Sequence, residues 1–170
     1  MGIETNKWGF RVGRLPHGPR NKISDVPGVT VGHCTLADGN VQTGVTALLP
    51  HPGDVFHDKV LAASHVINGF GKTTGLVQID ELGTLETPIL FTNTLSVGTV
   101  ETALVKYMLQ RNPDICETTG SVNPVVCECN DSGLNDIRGR DDGAFVFMGR
   151  DLRIQQRLDG RPRHADPVHQ

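Results

Sequence analysis

Apolar and polar residues alternate in two runs near the start of the chain. The first run follows a Pro-Gly turn at 27–28 and places Val29 and Val31 on one side of an extended segment, and the second, at 41–50, is largely apolar. A turn at 37–40 with the sequence Ala-Asp-Gly-Asn separates the runs. Two such runs around an Asp-Gly turn are typical of a β-hairpin. The pattern therefore predicts two antiparallel strands.

Helical spacing of apolar residues occurs twice further along the chain. Between 59 and 70, apolar residues stand at 60, 61, 63, 66, 67 and 70, which predicts a helix that ends in the glycine-containing segment 71–75. From 97 to 111 they stand at 97, 100, 103, 104, 107 and 108. For this second helix, Ser96 is the predicted N-cap and Asn112-Pro113 the stop.

Two more apolar runs predict buried strands. One covers 89–92 and leads directly into the helix at 97–111, and the other lies within 121–129 and carries Glu128. Where a buried strand continues into a helix, exposed hydroxyl, amide and backbone N–H groups converge beside a rigid scaffold. The junction at 89–100 is thus a candidate site, with a plain capped connection as the alternative.

Composition and charge narrow the class of protein. The 170 residues fit one domain, and a hydrophobic content of 37% is enough for an ordinary core. With 16 basic against 19 acidic residues, the chain shows no broad footprint for nucleic acid or an anionic membrane. Twenty glycines and ten prolines indicate many tight turns, as in compact α/β enzymes.

The two ends of the chain differ from its middle. Residues 1–21 are polar and rich in Gly and Pro, without a signal-peptide core, and no window in the chain has the length of a membrane span. We expect an N-terminal arm and a cytoplasmic location. Residues 141–170 carry several arginines and few apolar residues, which predicts a poorly ordered tail, with a nucleic-acid-binding tail as the alternative.

The cysteines suggest a zinc site, and one glycine-rich segment suggests a phosphate-binding loop. The spacing of the residues disfavours both. Free thiols are expected, because Cys127, Cys129 and His33 lack the C-x-x-C spacing of a zinc site. The segment 69–74 fails the phosphate-loop pattern at Val66, so we interpret it as a helix C-terminus with Lys72 near the negative end of the dipole. Nucleotide binding stays a weaker alternative. Three other reactive residues are interpreted as loop residues: His51, His57 and Ser121.

Glu128 is the sharpest chemical signal in the chain. A carboxylate that follows Val125, Val126 and Cys127 is costly to bury unless a cation or several donors meet it. A site that binds a substrate ammonium supplies such a cation, and pairing with Arg138 or Arg140 is the alternative. The loop at 130–137 is dense in amides and carboxylates, which suits a substrate-lining loop as well as an ordinary turn.

Five ordered blocks between residues 20 and 140 carry a family resemblance. They lie at 21–33, 43–50, 68–72, 85–98 and 124–128, the last followed by 134–137. Together they resemble the self-processing aminopeptidases, the family of L-aminopeptidase D-Ala-esterase/amidase and the β-peptidyl aminopeptidases. The resemblance implies an α/β fold, an α-β-β-α sandwich like that of N-terminal nucleophile hydrolases, of which this chain would form part.

The resemblance also implies a chemistry and a set of site residues. A precursor cuts itself before a Ser or Thr, and that new N-terminal residue attacks a small peptide or amino-acid amide. Intact relatives are expected to be homo-oligomers, and no cofactor, metal, nucleic acid or membrane is expected as a partner. The implied site residues are Glu128 for the substrate ammonium, Asn130 where some relatives place a tyrosine, and the supporting Asn93, Thr94, Ser96 and Asn135.

The later part of the family pattern has no counterpart in this sequence. The glycine-rich block, the oxyanion asparagine and the nucleophile segment are not found in 141–170. We therefore predict an aminopeptidase-like N-terminal portion at 22–140, inactive by itself, followed by a divergent tail of a truncated or frame-shifted product. A non-catalytic subunit that docks on an intact relative, with a nucleophile-bearing second segment as a partner, is the alternative.

Overall fold

The computed structural model describes residues 13–138, so most of the predicted arm and the tail at 141–170 lie outside the described residues. Within this part, a 3-10 helix (Ile23–Asp25) precedes the main elements. These are β1 (Thr30–Asp38), β2 (Val41–Leu49), β3 (Val60–Leu61), α1 (Leu76–Leu82), β4 (Thr84–Leu85), β5 (Ile89–Thr92), α2 (Val97–Arg111) and β6 (Val125–Glu128).

The predicted hairpin is present. Strands β1 and β2 pair antiparallel from Thr30 opposite Leu49 to Asp38 opposite Val41. The two-residue connection contains Gly39, whose φ of 54° is one that an L side chain rarely adopts. The Asp-Gly signal therefore marked the turn correctly.

A four-stranded sheet in the order β1-β2-β5-β6 forms the centre of the fold. β2 pairs antiparallel with β5, whereas β5 and β6 are parallel and are joined through α2. The apolar face of α2 covers one face of this sheet, as the predicted spacing requires. The core cluster between them includes Val100, Leu104 and Met108 of the helix and Ala47, Leu90 and Val126 of the strands.

A smaller layer covers the opposite face of the sheet. Successive side chains of a strand point to opposite faces, so Ile89, Val125 and Cys127 face away from α2. They contact a second cluster built on Ile79 of α1 and Leu85 of β4, where β3 and β4 form a two-stranded antiparallel sheet. The predicted layered α/β class is confirmed. Neither helix of residues 13–138 is long and apolar enough to cross a membrane.

The predicted helix at 59–70 is wrong. Only β3 is regular in that stretch, and the helix nearest to it, α1, begins at Leu76. The apolar residues that suggested the helix are largely exposed: Val66, Ile67 and Phe70 are 57%, 91% and 78% exposed. Their spacing did not mark a buried face, so Lys72 does not stand at a helix C-terminus.

Glu86 holds the small layer to the main sheet. The residue is 5% exposed, and its Oε2 accepts a hydrogen bond from Lys59 Nζ at 2.7 Å. Its Oε1 accepts bonds from the backbone and side-chain nitrogens of Asn123 at 2.8 and 2.9 Å. Burial acts to raise the pKa of Glu86, but the donors from Lys59 and Asn123 outweigh it and hold the pKa below its ordinary value. Both oxygens of this carboxylate are thus satisfied.

His57 links two loops at the far end of the fold. Its Nδ1 lies 3.0 Å from Asp54 Oδ2, and its Nε2 lies 2.9 Å from Asp114 Oδ2, just after α2. The hydrogen bonds to Asp54 and then Asp114 raise the pKa of His57 above its ordinary value. The bond from His57 lowers the pKa of Asp114. Each partner therefore favours the charged form of the other.

This pair predicts a pH window of stability. The raised pKa of His57 contributes stability that is complete below about 6.5 and is lost as pH rises through the folded-state pKa. The lowered pKa of Asp114 contributes stability above about 3.9 that is lost as pH falls through its folded-state pKa. We expect His57→Gln to lower the midpoint of thermal unfolding most between about pH 4 and 6.5, and less at pH 8.5.

A matched control is His65→Gln, since His65 is exposed and forms no ion pair within residues 13–138. Thermal unfolding followed by circular dichroism from pH 4 to 8.5 compares the two variants with the unmodified chain. A His57→Gln difference that is constant over this range, or equal to that of His65→Gln, contradicts the assignment.

Candidate functional site

The C-terminal ends of β5 and β6 lie side by side at one edge of the central sheet. Thr92, the last residue of β5, stands opposite Glu128, the last residue of β6. The backbone N–H of Cys129 donates to the carbonyl of Thr92 at 2.8 Å, which continues the pairing one step beyond the strand. The segments that follow both strands therefore start from neighbouring points.

Glu128 is half-buried at this edge, and one of its oxygens is unsatisfied. Oε2 is buried and accepts no hydrogen bond from the residues described here. Nor does any lysine or arginine within 13–138 form an ion pair with it, so Arg138 is not its partner, and Arg140 lies outside the described residues. Leaving a buried acceptor without a donor is costly, and this oxygen has room for a further hydrogen bond.

The junction between β5 and α2 is buried rather than exposed. Asn93, Thr94 and Ser96 are 3%, 8% and 9% exposed, which corrects the expectation of exposed polar groups. Ser96 stands at the N-cap position as predicted, but its side chain makes no capping hydrogen bond. Asn93 Oδ1 instead accepts the backbone N–H groups of Leu95 and Ser96 at 3.1 and 3.0 Å. The hydroxyl of Thr94 is buried without a hydrogen-bond partner in the described part.

Hydrogen bonds connect Asn93 to Asn135 through two residues that the sequence reasoning did not select. Asn93 Nδ2 donates to Thr43 Oγ1 at 3.1 Å, and Thr43 Oγ1 donates to Asp131 Oδ2 at 2.7 Å. Asn135 Nδ2 donates to Asp131 Oδ1 at 3.1 Å. At the other end, the backbone N–H of Gln42 donates to Asn135 Oδ1 at 2.9 Å. The start of β2 and the segments after β5 and β6 are joined in this way.

A partial signal for the two missed residues was present in the sequence. Thr43 begins one of the family-like blocks, and Asp131 lies in the loop dense in carboxylates. Their contact spans 88 positions of the chain, which no local pattern reports.

Asn130 makes no hydrogen bond to this network within residues 13–138. The residue is exposed, and its Oδ1 accepts the backbone N–H of Ser132 at 3.0 Å, which closes a turn. Asn130 is near Glu128 because it lies two residues further along the chain. A tyrosine-like oxyanion role for Asn130 stays a prediction.

The glycine-rich segment at 69–74 lies along the free edge of β6. Thr74 N–H donates to the carbonyl of Val126 at 3.0 Å, and a β-carbon at Gly71 would lie 3.7 Å from Glu128 Oε1. Lys72 Nζ donates to the carbonyl of Phe70 at 2.7 Å and lies 3.7 Å from the centre of the Phe70 ring. The segment thus lies beside Glu128, and Lys72 interacts with Phe70 of the same segment.

Other reactive groups lie away from this edge or serve the scaffold. His33 Nδ1 lies 2.8 Å from Thr46 Oγ1 across the hairpin, and the ring of His51 bonds the backbone of its own loop.

The cysteines are free thiols as predicted, and burial raises the pKa of Cys127. Within residues 13–138, no three His, Cys, Asp or Glu side chains are grouped to hold a metal ion. Ser121 lies in an exposed loop.

A cavity of about 250 Å³ opens at the opposite end of the sheet. Its lining includes Thr30 at the start of β1, Leu49 at the end of β2, and Tyr107 and Arg111 near the end of α2. None of the six predicted site residues borders it. The polar residues that the sequence selected are instead grouped around the end of β5 and β6.

Comparison with known proteins adds to this geometry. The model of the family described as Peptidase family S58 matches residues 21–149, which continues past the boundary predicted at 140. The β-peptidyl aminopeptidase BapA of Sphingosinicella microcystinivorans is 38% identical over 131 residues, covering 72% of this chain and 32% of that protein. The chain thus spans about a third of the length of this curated relative.

Solved structures agree with the fold. The crystal structure of the PH0078 protein from Pyrococcus horikoshii OT3 matches with a TM-score of 0.80 and 50% identity, over 88% of this chain and 44% of that one. The L-aminopeptidase D-Ala-esterase/amidase from Ochrobactrum anthropi, described as a new variant among the Ntn hydrolase fold, matches with a TM-score of 0.67 and 32% identity. That match covers 82% of this chain and 42% of that one.

These matches bear out the resemblance that the sequence blocks carried. The family model covers most of the chain, and the matched stretch contains the whole sheet edge at which Glu128, Asn93 and Asn135 lie. The chain belongs to peptidase family S58.

Proposed function

We propose that this chain supplies the substrate-binding part of an aminopeptidase-like hydrolase, in which the Glu128 carboxylate receives the ammonium group of the substrate. The observation that carries this proposal is the buried Oε2 of Glu128, which has no donor within residues 13–138. A substrate ammonium supplies both a positive charge and hydrogen-bond donors, so it satisfies an oxygen that is otherwise costly to bury.

The contrast with Glu86 supports this choice of carboxylate. Glu86 is more deeply buried, yet Lys59 and Asn123 occupy both of its oxygens. Glu86 therefore acts in the scaffold, whereas Glu128 has capacity left for a ligand. The names of the relatives, a β-peptidyl aminopeptidase and an L-aminopeptidase, agree with a substrate that has a free amino end.

The proposed substrate is a small peptide or amino-acid amide. In the family chemistry, a hydroxyl attacks the amide carbonyl, the amine leaves, and water then hydrolyses the acyl-enzyme ester. The attacking N-terminal Ser or Thr would come from a second segment. Glu128 would hold the free amino end and so place the carbonyl for that attack.

A second candidate function is a non-catalytic subunit that docks on an intact relative. Large apolar side chains that are exposed between positions 61 and 77 favour it, because exposed apolar surface is typical of sites that contact another protein. Leu61, Ile67, Phe70 and Val77 are 93%, 91%, 78% and 82% exposed.

Binding of an amino-acid amide tests the role of Glu128. We expect the 170-residue chain to bind L-leucine amide in preference to N-acetyl-L-leucine amide, because only the former carries an ammonium group. Glu128→Gln should weaken binding of L-leucine amide by about tenfold or more, as for the loss of a charged hydrogen bond. Isothermal titration calorimetry measures both affinities.

The matched control is Glu117→Gln, since Glu117 is an exposed carboxylate in the turn after α2. This variant should bind like the unmodified chain. Equal affinity of the Glu128→Gln variant and the unmodified chain for L-leucine amide would rule out the ammonium-binding role.

Hydrolysis by the chain alone tests the second half of the proposal. We expect the purified 170-residue chain to release no p-nitroaniline from L-leucine p-nitroanilide, because residues 141–170 carry no counterpart of the nucleophile segment that the resemblance implies. A β-peptidyl aminopeptidase assayed on β-alanine p-nitroanilide serves as the positive control. Release above the blank that Glu128→Gln reduces would place the nucleophile within these 170 residues.

A further inference from the structure

Two amides of the candidate site have orientations that backbone groups fix. At one end, Asn93 Oδ1 accepts the N–H groups of Leu95 and Ser96. At the other end, Asn135 Oδ1 accepts the N–H of Gln42. A backbone N–H only donates, so the oxygen of each amide must face the backbone. The NH2 group of each amide is therefore the side that reaches into the network.

The bonds that connect the two amides through Thr43 and Asp131 all donate toward Asp131. Asn93 donates to Thr43 Oγ1, and the single proton of that hydroxyl goes to Asp131 Oδ2. Asn135 donates to Asp131 Oδ1 from the other side. The two arms thus meet at Asp131, which must accept on both oxygens at once.

Only a carboxylate meets this requirement among residues of the same shape. An asparagine has one acceptor oxygen and one NH2 group, so at position 131 it would point a donor at Asn135 or at Thr43. Turning Asn135 to compensate would leave the backbone N–H of Gln42 facing an NH2 group, and a Thr43 hydroxyl that accepts from position 131 would lose the acceptor for its own proton. The direction of the bonds therefore selects aspartate at this position.

We propose that Asp131 is a positioning residue, which fixes Asn93, Asn135 and the chain after β6 in place around Glu128. Asp131 is three residues beyond Glu128, and Thr43 connects it to the start of β2. The carboxylate acts through its neighbours, and it need not contact the substrate. The link to substrate rests on the function proposed for Glu128, whereas the fixed amide orientations do not.

Side-chain amide signals in ¹⁵N-resolved NMR spectra test the two arms separately. Thr43→Val removes the hydroxyl from one arm, so the Asn93 amide signals should shift while those of Asn135 stay. Asp131→Asn should shift the signals of at least one of the two amides. Thr43→Ser restores the hydroxyl and should restore the Asn93 signals. Thr35→Val, at an exposed threonine of β1, is the matched control and should shift neither.

Unchanged Asn93 signals in Thr43→Val, or unchanged signals of both amides in Asp131→Asn, would overturn the fixed orientations. The Thr43→Ser variant keeps the test valid if a more severe substitution prevents folding.

Affinity for L-leucine amide tests the positioning role. Asp131→Asn and Thr43→Val should each weaken binding about three- to tenfold, and Thr43→Ser should bind like the unmodified chain. If Glu128→Gln loses affinity while Asp131→Asn and Thr43→Val retain it, the positioning role is overturned and the function proposed for Glu128 stands.

If instead the unmodified chain does not distinguish L-leucine amide from its N-acetyl form, the proposed function fails. The substrate part of this proposal then fails with it, and the amide signals still decide whether Asp131 fixes the two asparagines.

Discussion

The parallel pairing of β5 with β6 is the constraint on which the rest of the structure depends. Parallel neighbours need a long connection, and here α2 makes it while burying its apolar face against the same strands. Because the strands run in the same direction, their C-terminal ends reach one edge of the sheet. Thr92 then stands opposite Glu128, and every polar group of the candidate site lies at or after one of these two ends, or at the start of β2.

That edge contains polar groups in two different states. The amides and the Asp131 carboxylate satisfy one another and hold three segments together. Glu128 Oε2 and the Thr94 hydroxyl are buried without partners in the part of the chain that the structure describes. Polar groups that are fully hydrogen-bonded here lie beside polar groups that lack a partner. A ligand, or a further segment of polypeptide, supplies the missing hydrogen bonds in such a site. In the scaffold carboxylate Glu86, by contrast, both oxygens are paired.

Local sequence patterns correctly predicted the parts of the fold in which the periodic apolar residues are buried. Strands β2, β5 and β6 and helix α2 all place apolar residues in a core, and the Asp-Gly turn marked the hairpin. The helix predicted at 59–70 failed because Val66, Ile67 and Phe70 are exposed, so their spacing carried no packing information. Contacts of high sequence separation were also out of reach, which is why Thr43 and Asp131 were missed while the nearby Asn93 and Asn135 were selected.

The most direct measurement is a crystal structure of the 170-residue chain with L-leucine amide bound. We predict density for the ligand with its ammonium nitrogen within hydrogen-bond distance of the Glu128 carboxylate, at the end of β5 and β6. A structure in which Glu128 is paired with Arg140 and the ligand is bound elsewhere, for example in the cavity beside Tyr107 and Arg111, would contradict the account.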